Sequence, residues 1–257
     1  MKTTVYKLKN NRIDRSLSVA LVSDLHGSSC EGVLDELKRR EIDIIAVTGD
    51  ITSRLDCKEG DIPPNDYGKP ISHKNAFDLL SGCSSVAPTF YSLGNHELCG
   101  HKYRENHGRK CLDENLHLIK ESGAVLLDDT YTEHSGLRIG GLTSGHTNPD
   151  LVPKTEWLDD FEKSDKFRIL LCHHPEYYPM YLKERGIDLL LSGHAHGGQF
   201  QFFGQGVFAP GQGIFPKYTT GVHDGRFVIS RGLCNTAKPI PRLFNPTELV
   251  IIDIEKA

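Results

Sequence analysis

The sequence has 257 residues, 38% hydrophobic and 25% charged, a balance that excludes both a disordered chain and a membrane bundle. With 30 Lys plus Arg against 34 Asp plus Glu, the net charge of −4 argues against nucleic acid as a main partner. The seven cysteines are odd in number and form no C-x-x-C pair, which fits free thiols in a reducing compartment better than a disulfide framework.

In chain order, Val5–Leu8 and Leu17–Val22 read as strands, the second nearly continuous in apolar residues, as a buried strand is. That second run is too short for the core of a signal peptide and far too short to span a membrane, so a cytoplasmic location is expected. Gly32–Arg40 places Val33, Leu34 and Leu37 at helical spacing, with basic residues in its last turn. Ile42–Val47 is another buried strand, and Cys57–Pro70, with Pro63, Pro64 and Gly68, is a surface loop. A helix over Ser72–Ser81 leads to a strand at Thr89–Tyr91, and polar helical segments fill Leu98–Ser122. Short strands follow near Val125–Leu127, Asp129–Glu133 and Leu137–Gly141. The second half alternates again: a helix at Lys154–Phe161, a strand at Phe167–Cys172, a helix at Glu176–Arg185 and a strand at Ile187–Leu191. Phe227–Ile229 and Leu249–Ile252 close the chain as strands. No repeat or linker interrupts residues 1–257, so one α/β domain is expected.

Five polar clusters stand where apolar strands stop: Asp24-Leu25-His26, Gly49-Asp50, Gly94-Asn95-His96-Glu97, Cys172-His173-His174-Pro175 and Gly193-His194-Ala195-His196. Strand ends are where α/β sheets carry their sites. Imidazoles with carboxylate and amide oxygens form the donor set of borderline divalent metals such as Mn, Fe, Zn or Co, and no thiolate is needed. A lone D-x-H or H-x-H is usually an ordinary polar pair. Five such clusters, in order and each at a strand end, are not.

These blocks, D-x-H, G-D, G-N-H-E, H and G-H-x-H, resemble the calcineurin-like metallophosphoesterases. The stretch Gly193–Phe200, Ala209-Pro210, Ile214–Tyr218 and Ser230–Leu233 is similar to the bacterial YkuE/YaeI-like phosphodiesterase subgroup. The resemblance implies a four-layer αββα sandwich with two mixed β-sheets. It also implies two divalent or trivalent metal ions, with Mn, Fe and Zn foremost. Asp24, His26, Asp50 and His196 would hold the first, and Asp50, Asn95, His173 and His194 the second, with Asp50 bridging. His96, left without a metal role, would act on the phosphate as the catalytic residue; the plainer alternative is a histidine packed beneath its loop. Glu97 is expected to orient a ligand. His174 is left out of the metal set because adjacent residues usually point apart, and His101, His107, His146 and His223 are read as surface or supporting residues.

The implied activity is a phosphoesterase acting on phosphodiester or pyrophosphate-linked substrates, with a phosphomonoesterase as the alternative. A non-catalytic scaffold of the same fold and a DNA-end nuclease are weaker rivals. The blocks Gly49–Leu55 and Glu97-Leu98-Cys99 depart from the phosphoprotein-phosphatase pattern, so that activity is not expected. The expected partner is a small-molecule or lipid-linked phosphoester, with room for peripheral membrane contact. The relatives' export segment has no counterpart at the start of this sequence. The glycine-rich stretch Gly204–Gly213 reads as loop, and Arg231 as a packing residue. Phe200 and Phe202 alternate as on a half-buried strand, which makes core of most rings between Gly198 and Lys217. Phe203 and Phe208 break the alternation and are candidates for a loop bordering the site.

Overall fold

The computed structural model describes residues 1–52, 73–98, 115–143, 153–209, 212–234 and 242–257. The expected loop Cys57–Pro70, most of the helical stretch after Leu98, Cys57, Cys99, Cys111, His101, His107 and His146 lie outside the described residues.

The first half gives β1 (Lys2–Lys9), β2 (Leu17–Val22), α1 (Val33–Lys38), β3 (Ile44–Val47), α2 (His73–Val86) and β4 (Thr89–Tyr91). Residues 115–121 are helical (α3), and β5 (Val125–Leu126), β6 (Thr130–His134) and β7 (Leu137–Leu142) follow. The second half holds α4 (Leu158–Phe161), β8 (Phe167–Cys172), β9 (Leu189–Ser192), β10 (Gln201–Phe202) and β11 (Gln205–Gly206). It ends with β12 (Phe208–Ala209), β13 (Gly213–Ile214), β14 (Gly221–His223), β15 (Phe227–Ile229) and β16 (Glu248–Glu255).

Two six-stranded mixed sheets form, ordered β1-β16-β2-β3-β4-β5 and β14-β15-β9-β8-β7-β6. Alternation along each strand divides the core into three layers. In β2, Val19 and Leu21 face the second sheet together with Ile44, Ala46 and Val250, against Ile139, Ile169, Leu171 and Leu191. Ala20 and Val22 face outward, where Val33 and Leu37 of α1 and Leu79, Leu80 and Cys83 of α2 cover them. The outer face of the second sheet is covered by Leu158, Phe161, Tyr178 and Leu182. The four-layer αββα arrangement expected from the sequence is therefore present, with its second helical layer thin.

That thinness corrects two expectations. The helix expected over Glu176–Arg185 is a single π-helical turn, Tyr178–Leu182, closed by the Lys183 N–H donating to the Tyr178 carbonyl at 2.8 Å. Pro179 has no N–H and fits only the first turn of a helix, so the segment cannot extend backwards. The helix expected from Lys154 begins only at Leu158. Conversely, α2 runs past Ser81 to Val86. Gly82 lets it approach α1, since a Cβ there would lie 2.4 Å from Leu34 Cδ1.

The glycine-rich stretch is not plain loop but two small antiparallel hairpins, β10–β11 and β12–β13. Most of their aromatic rings are not core. Phe202, Phe203, Phe208 and Phe215 are all exposed, because the hairpins have no sheet opposite to bury them. Arg231 packs as expected, its Nε donating to Thr220 Oγ1 at 3.0 Å. Among the described residues Cys30, Cys83, Cys172 and Cys234 are free thiols, and no helix is long and apolar enough to cross a membrane.

Candidate active site

Strands β2, β3 and β4 lie side by side and parallel, so the residues that follow them leave the sheet at one edge. β8 and β9 do the same in the second sheet. Loops at such an edge are free of the ladder yet held by rigid strands. The two edges meet. The His173 Nδ1–H donates to the Thr48 carbonyl at 2.6 Å, and the His194 backbone N–H donates to the Asp24 carboxylate at 3.1–3.2 Å.

Asp50 stands at the centre. Its Oδ2 is 3.1 Å from His173 Nε2, 3.7 Å from His26 Nε2 and 4.0 Å from His96 Nε2. Its Oδ1 accepts the His96 backbone N–H at 2.8 Å. Asp24 Oδ1 holds the other flank, 3.5 Å from His196 Nε2 and 3.8 Å from His26 Nε2. His194 Nδ1 lies 3.2 Å from His173 Nε2. Three groups that could hold a cation meet here, Asp24–His26–His196, His26–Asp50–His96 and Asp50–His173–His194, so His96 lies within reach of the same cation as His26 and Asp50. Asn95 follows on the same edge, with its Oδ1 buried and without a hydrogen-bond partner. His96 presents its ring edge to His26, centroids 4.4 Å apart, and its side chain is 26% exposed where those of His26 and His173 are closed off.

Charge is balanced by contact. Burial alone would raise the pKa of Asp50, but His173, His96 and His26 outweigh it and hold the carboxylate well below its usual range. Against burial, the same Asp50 charge pushes His173 up to about 10. Burial pushes His194 down to about 3, aided by the charge on His173, and His196 down to about 4. Both rings are therefore neutral at neutral pH and keep a lone pair for a cation, whereas His173 holds a proton that a cation at its Nε2 would have to displace. The donor set fits a divalent metal on a second count. Among the described residues both ring nitrogens of His26, like Asn95 Oδ1, are buried without a hydrogen-bond partner, a loss that a cation would make good.

The backbone around these ligands is unusual. Asp24, His26, Asp50, His194 and His196 all have positive φ, between 45° and 63°. Non-glycine residues in this left-handed region cost of order 1–3 kcal/mol each and collect at functional sites. Glu97 holds the turns in place. Its Oε2 accepts the N–H groups of Asp50 and Gly94 at 2.8 and 2.9 Å, and its Oε1 those of Ile51 and Thr52 at 2.9 and 3.1 Å. Burial and the Asp50 charge push its pKa up. At Gly193 a Cβ would lie 1.9 Å from Ser23 Oγ and 2.4 Å from Asp24 Oδ2, so only glycine lets the two sheets close here.

Four contributors were not evident from the sequence. Ser23 Oγ donates to Asp24 Oδ2 at 2.5 Å. Arg242 Nη2 and Asn245 Nδ2 donate to the His196 carbonyl at 3.0 and 2.7 Å. Glu176 Oε1 lies 3.9 Å from His194 Nε2. His174, set aside by its adjacency to His173, lies beside His194 with ring centroids 4.1 Å apart and forms a further cluster with Glu176. The local signal was the His173-His174-Pro175-Glu176 run itself.

Residues 17–198, from β2 to the turn after His196, match the family described as calcineurin-like phosphoesterase. The chain belongs to that family. Calcineurin-like phosphoesterases hydrolyse phosphoesters and bind divalent metals, in keeping with the His/Asp clusters above. An uncharacterized metallophosphoesterase of Campylobacter jejuni is 28% identical over 254 residues, 96% of this chain and 60% of its own length. One of Helicobacter pylori is 24% identical, over 74% of this chain and 47% of its own length. The chain thus spans about half to three fifths of the length of these relatives. The Bacillus subtilis protein YpbG is 25% identical, over 93% of this chain and 82% of its own length. Among solved structures, the calcineurin-like phosphoesterase YfkN of Bacillus subtilis aligns with a TM-score of 0.48 at 14% identity, over 85% of this chain and 82% of its own.

Proposed function

We propose that the protein is a binuclear metal-dependent phosphoesterase that hydrolyses phosphodiester or pyrophosphate-linked substrates by attack of water. The observation that carries this reading is the central place of Asp50, within reach of His26 on one side and His173 on the other. Asp24, His26, Asp50 and His196 would hold one cation, and Asp50, Asn95, His173 and His194 the other. Bound metal ions of the Mn, Fe or Zn kind supply Lewis acidity, polarising phosphoryl oxygens and lowering the pKa of water. Asp50 would lend negative charge to both cations, which would otherwise repel. Asn95 offers a neutral oxygen, so the ligand set does not cancel the positive charge that attracts an anionic substrate. His96 is the imidazole of the cluster that reaches solvent, and its Nε2 can carry the proton that the leaving oxygen needs. Glu97 keeps the Asp50 and Asn95 turns aligned through its four backbone bonds.

The test combines metal analysis with turnover of bis-p-nitrophenyl phosphate, p-nitrophenyl phosphate and a pyrophosphate-linked nucleotide. Two metals per chain and preference for the diester or the pyrophosphate bond are expected, with both metal and rate lost in Asp50→Asn. Full metal content and full rate in that variant would refute the shared ligand. Faster turnover of the monoester would move the substrate class.

A further inference from the structure

Of the twelve large apolar side chains exposed among the described residues, seven fall between Phe202 and Phe244. They stand at projecting points. Phe203 is 98% exposed at the tip of the β10–β11 hairpin, where it and Gly204 have φ of 50° and 82°. Its ring meets that of the exposed Phe202 at 4.8 Å. Phe208 and Ile214 face each other across β12–β13, and Phe215 follows with φ 51°. Phe244, 86% exposed, has φ 55°. Three aromatic residues thus occupy left-handed positions that asparagine or glycine would fill at less cost. Neither packing nor turn chemistry favours phenylalanine there.

The patch is tied to the candidate site. The Val207 N–H donates to the Gly198 carbonyl at 3.1 Å, and the Gln201 N–H to the Leu243 carbonyl at 3.0 Å. Phe244 lies between Arg242 and Asn245, the two residues that hold the His196 carbonyl. Its charge is equally distinct. Among the described residues from Phe200 to Thr247 there is one carboxylate, Asp224, and Lys217 is exposed beside Phe215, while Arg226, Arg231 and Arg242 donate to oxygens of the protein itself.

We infer that these hairpin tips dock the protein on an anionic lipid surface, with the turn that carries His196 brought close to the headgroups. Separate protruding rings suit a bilayer, which needs no shape complementarity, better than a folded partner, which does. A surface almost free of carboxylates meets anionic headgroups without repulsion.

Flotation with phosphatidylcholine vesicles, alone or mixed with phosphatidylglycerol, tests this. The protein floats with the anionic vesicles, less at high salt and less with phosphatidylcholine alone. Replacing both tips, Phe203→Asn with Phe244→Asn, lowers partitioning by about tenfold or more. Asparagine tolerates the left-handed backbone, so the melting temperature and the hydrolysis of a small soluble ester stay unchanged. Lys217→Glu weakens binding to the anionic vesicles alone. The inference is overturned if the protein does not float at low salt, or if the double variant floats as well as the parent. It is also overturned if light scattering finds a dimer that the double variant dissociates.

Discussion

Replacing Glu97 by glutamine changes one atom and tests how the turns that carry Asp50 and Asn95 are held. The carboxylate accepts four backbone N–H groups, two on each oxygen, in a site closed to solvent. A glutamine oxygen can keep one pair. Its amide nitrogen then faces the other pair, donor against donor. Two buried N–H groups lose their acceptor at about 1–3 kcal/mol each, or roughly 2–6 kcal/mol together. Against a typical domain stability of about 5–15 kcal/mol, that is a large share. Urea unfolding of the chelator-treated protein reads it as a lowered midpoint at unchanged slope. Because Asp50 and Gly94 both donate to Oε2, the folded variant should also bind metal more weakly. A midpoint and a metal content that both match the parent would show that Glu97 is protonated, or that it does not hold these turns.

His96→Ala should leave both metals bound and lower kcat by about 10²–10⁴-fold, less for esters with a nitrophenol leaving group; equal loss on all esters would argue against proton donation. Gly193→Ala should cut metal content and activity together, because the added methyl meets Ser23 and Asp24; an active, metal-replete variant would contradict the close approach. Arg168 makes a buried pair with Asp188, Nε to Oδ2 at 2.8 Å, and Arg12 stays 3.3 Å from the other carboxylate oxygen, so Arg168→Met should cost about 1–3 kcal/mol in urea while leaving metal content and kcat intact. Burial pushes the Cys83 thiol up to about 12 and raises those of Cys172 and Cys234. All three should resist alkylation at pH 8 until the protein unfolds; labelling of the folded protein, read by mass spectrometry, would contradict their burial.

Much of the fold is legible because its strands are apolar runs with abrupt polar stops. Leu17–Val22, Thr89–Tyr91 and Phe167–Cys172 begin and end where the pattern says. The ligand blocks are legible for the same reason, since each begins where such a run breaks. Other features leave no local trace. Arg242 and Asn245 reach His196 from 46 and 49 residues away. Alternating Phe200 and Phe202 look like half-buried strand, and Phe200 is indeed partly buried beside Leu243, but Phe202 is exposed, because whether a ring is buried depends on what lies opposite. The π-helical turn carries apolar residues at helical spacing, and only Pro179 hints that it is short.

The left-handed backbone at Asp24, His26, Asp50, His194 and His196 sets function against durability. At His26, His194 and His196 asparagine would relax the backbone, whereas the Asp24 and Asp50 carboxylates also accept buried N–H groups that glycine would leave unpaired. Asparagine at the three histidine positions would therefore weaken metal binding yet leave the metal-free fold more resistant to heat than the metal-free parent. A library screened for thermal survival alone would lose its active site first, turn by turn, while both sheets persisted. Stabilising this protein has to come from positions away from these five, and selection has to demand metal binding at every round.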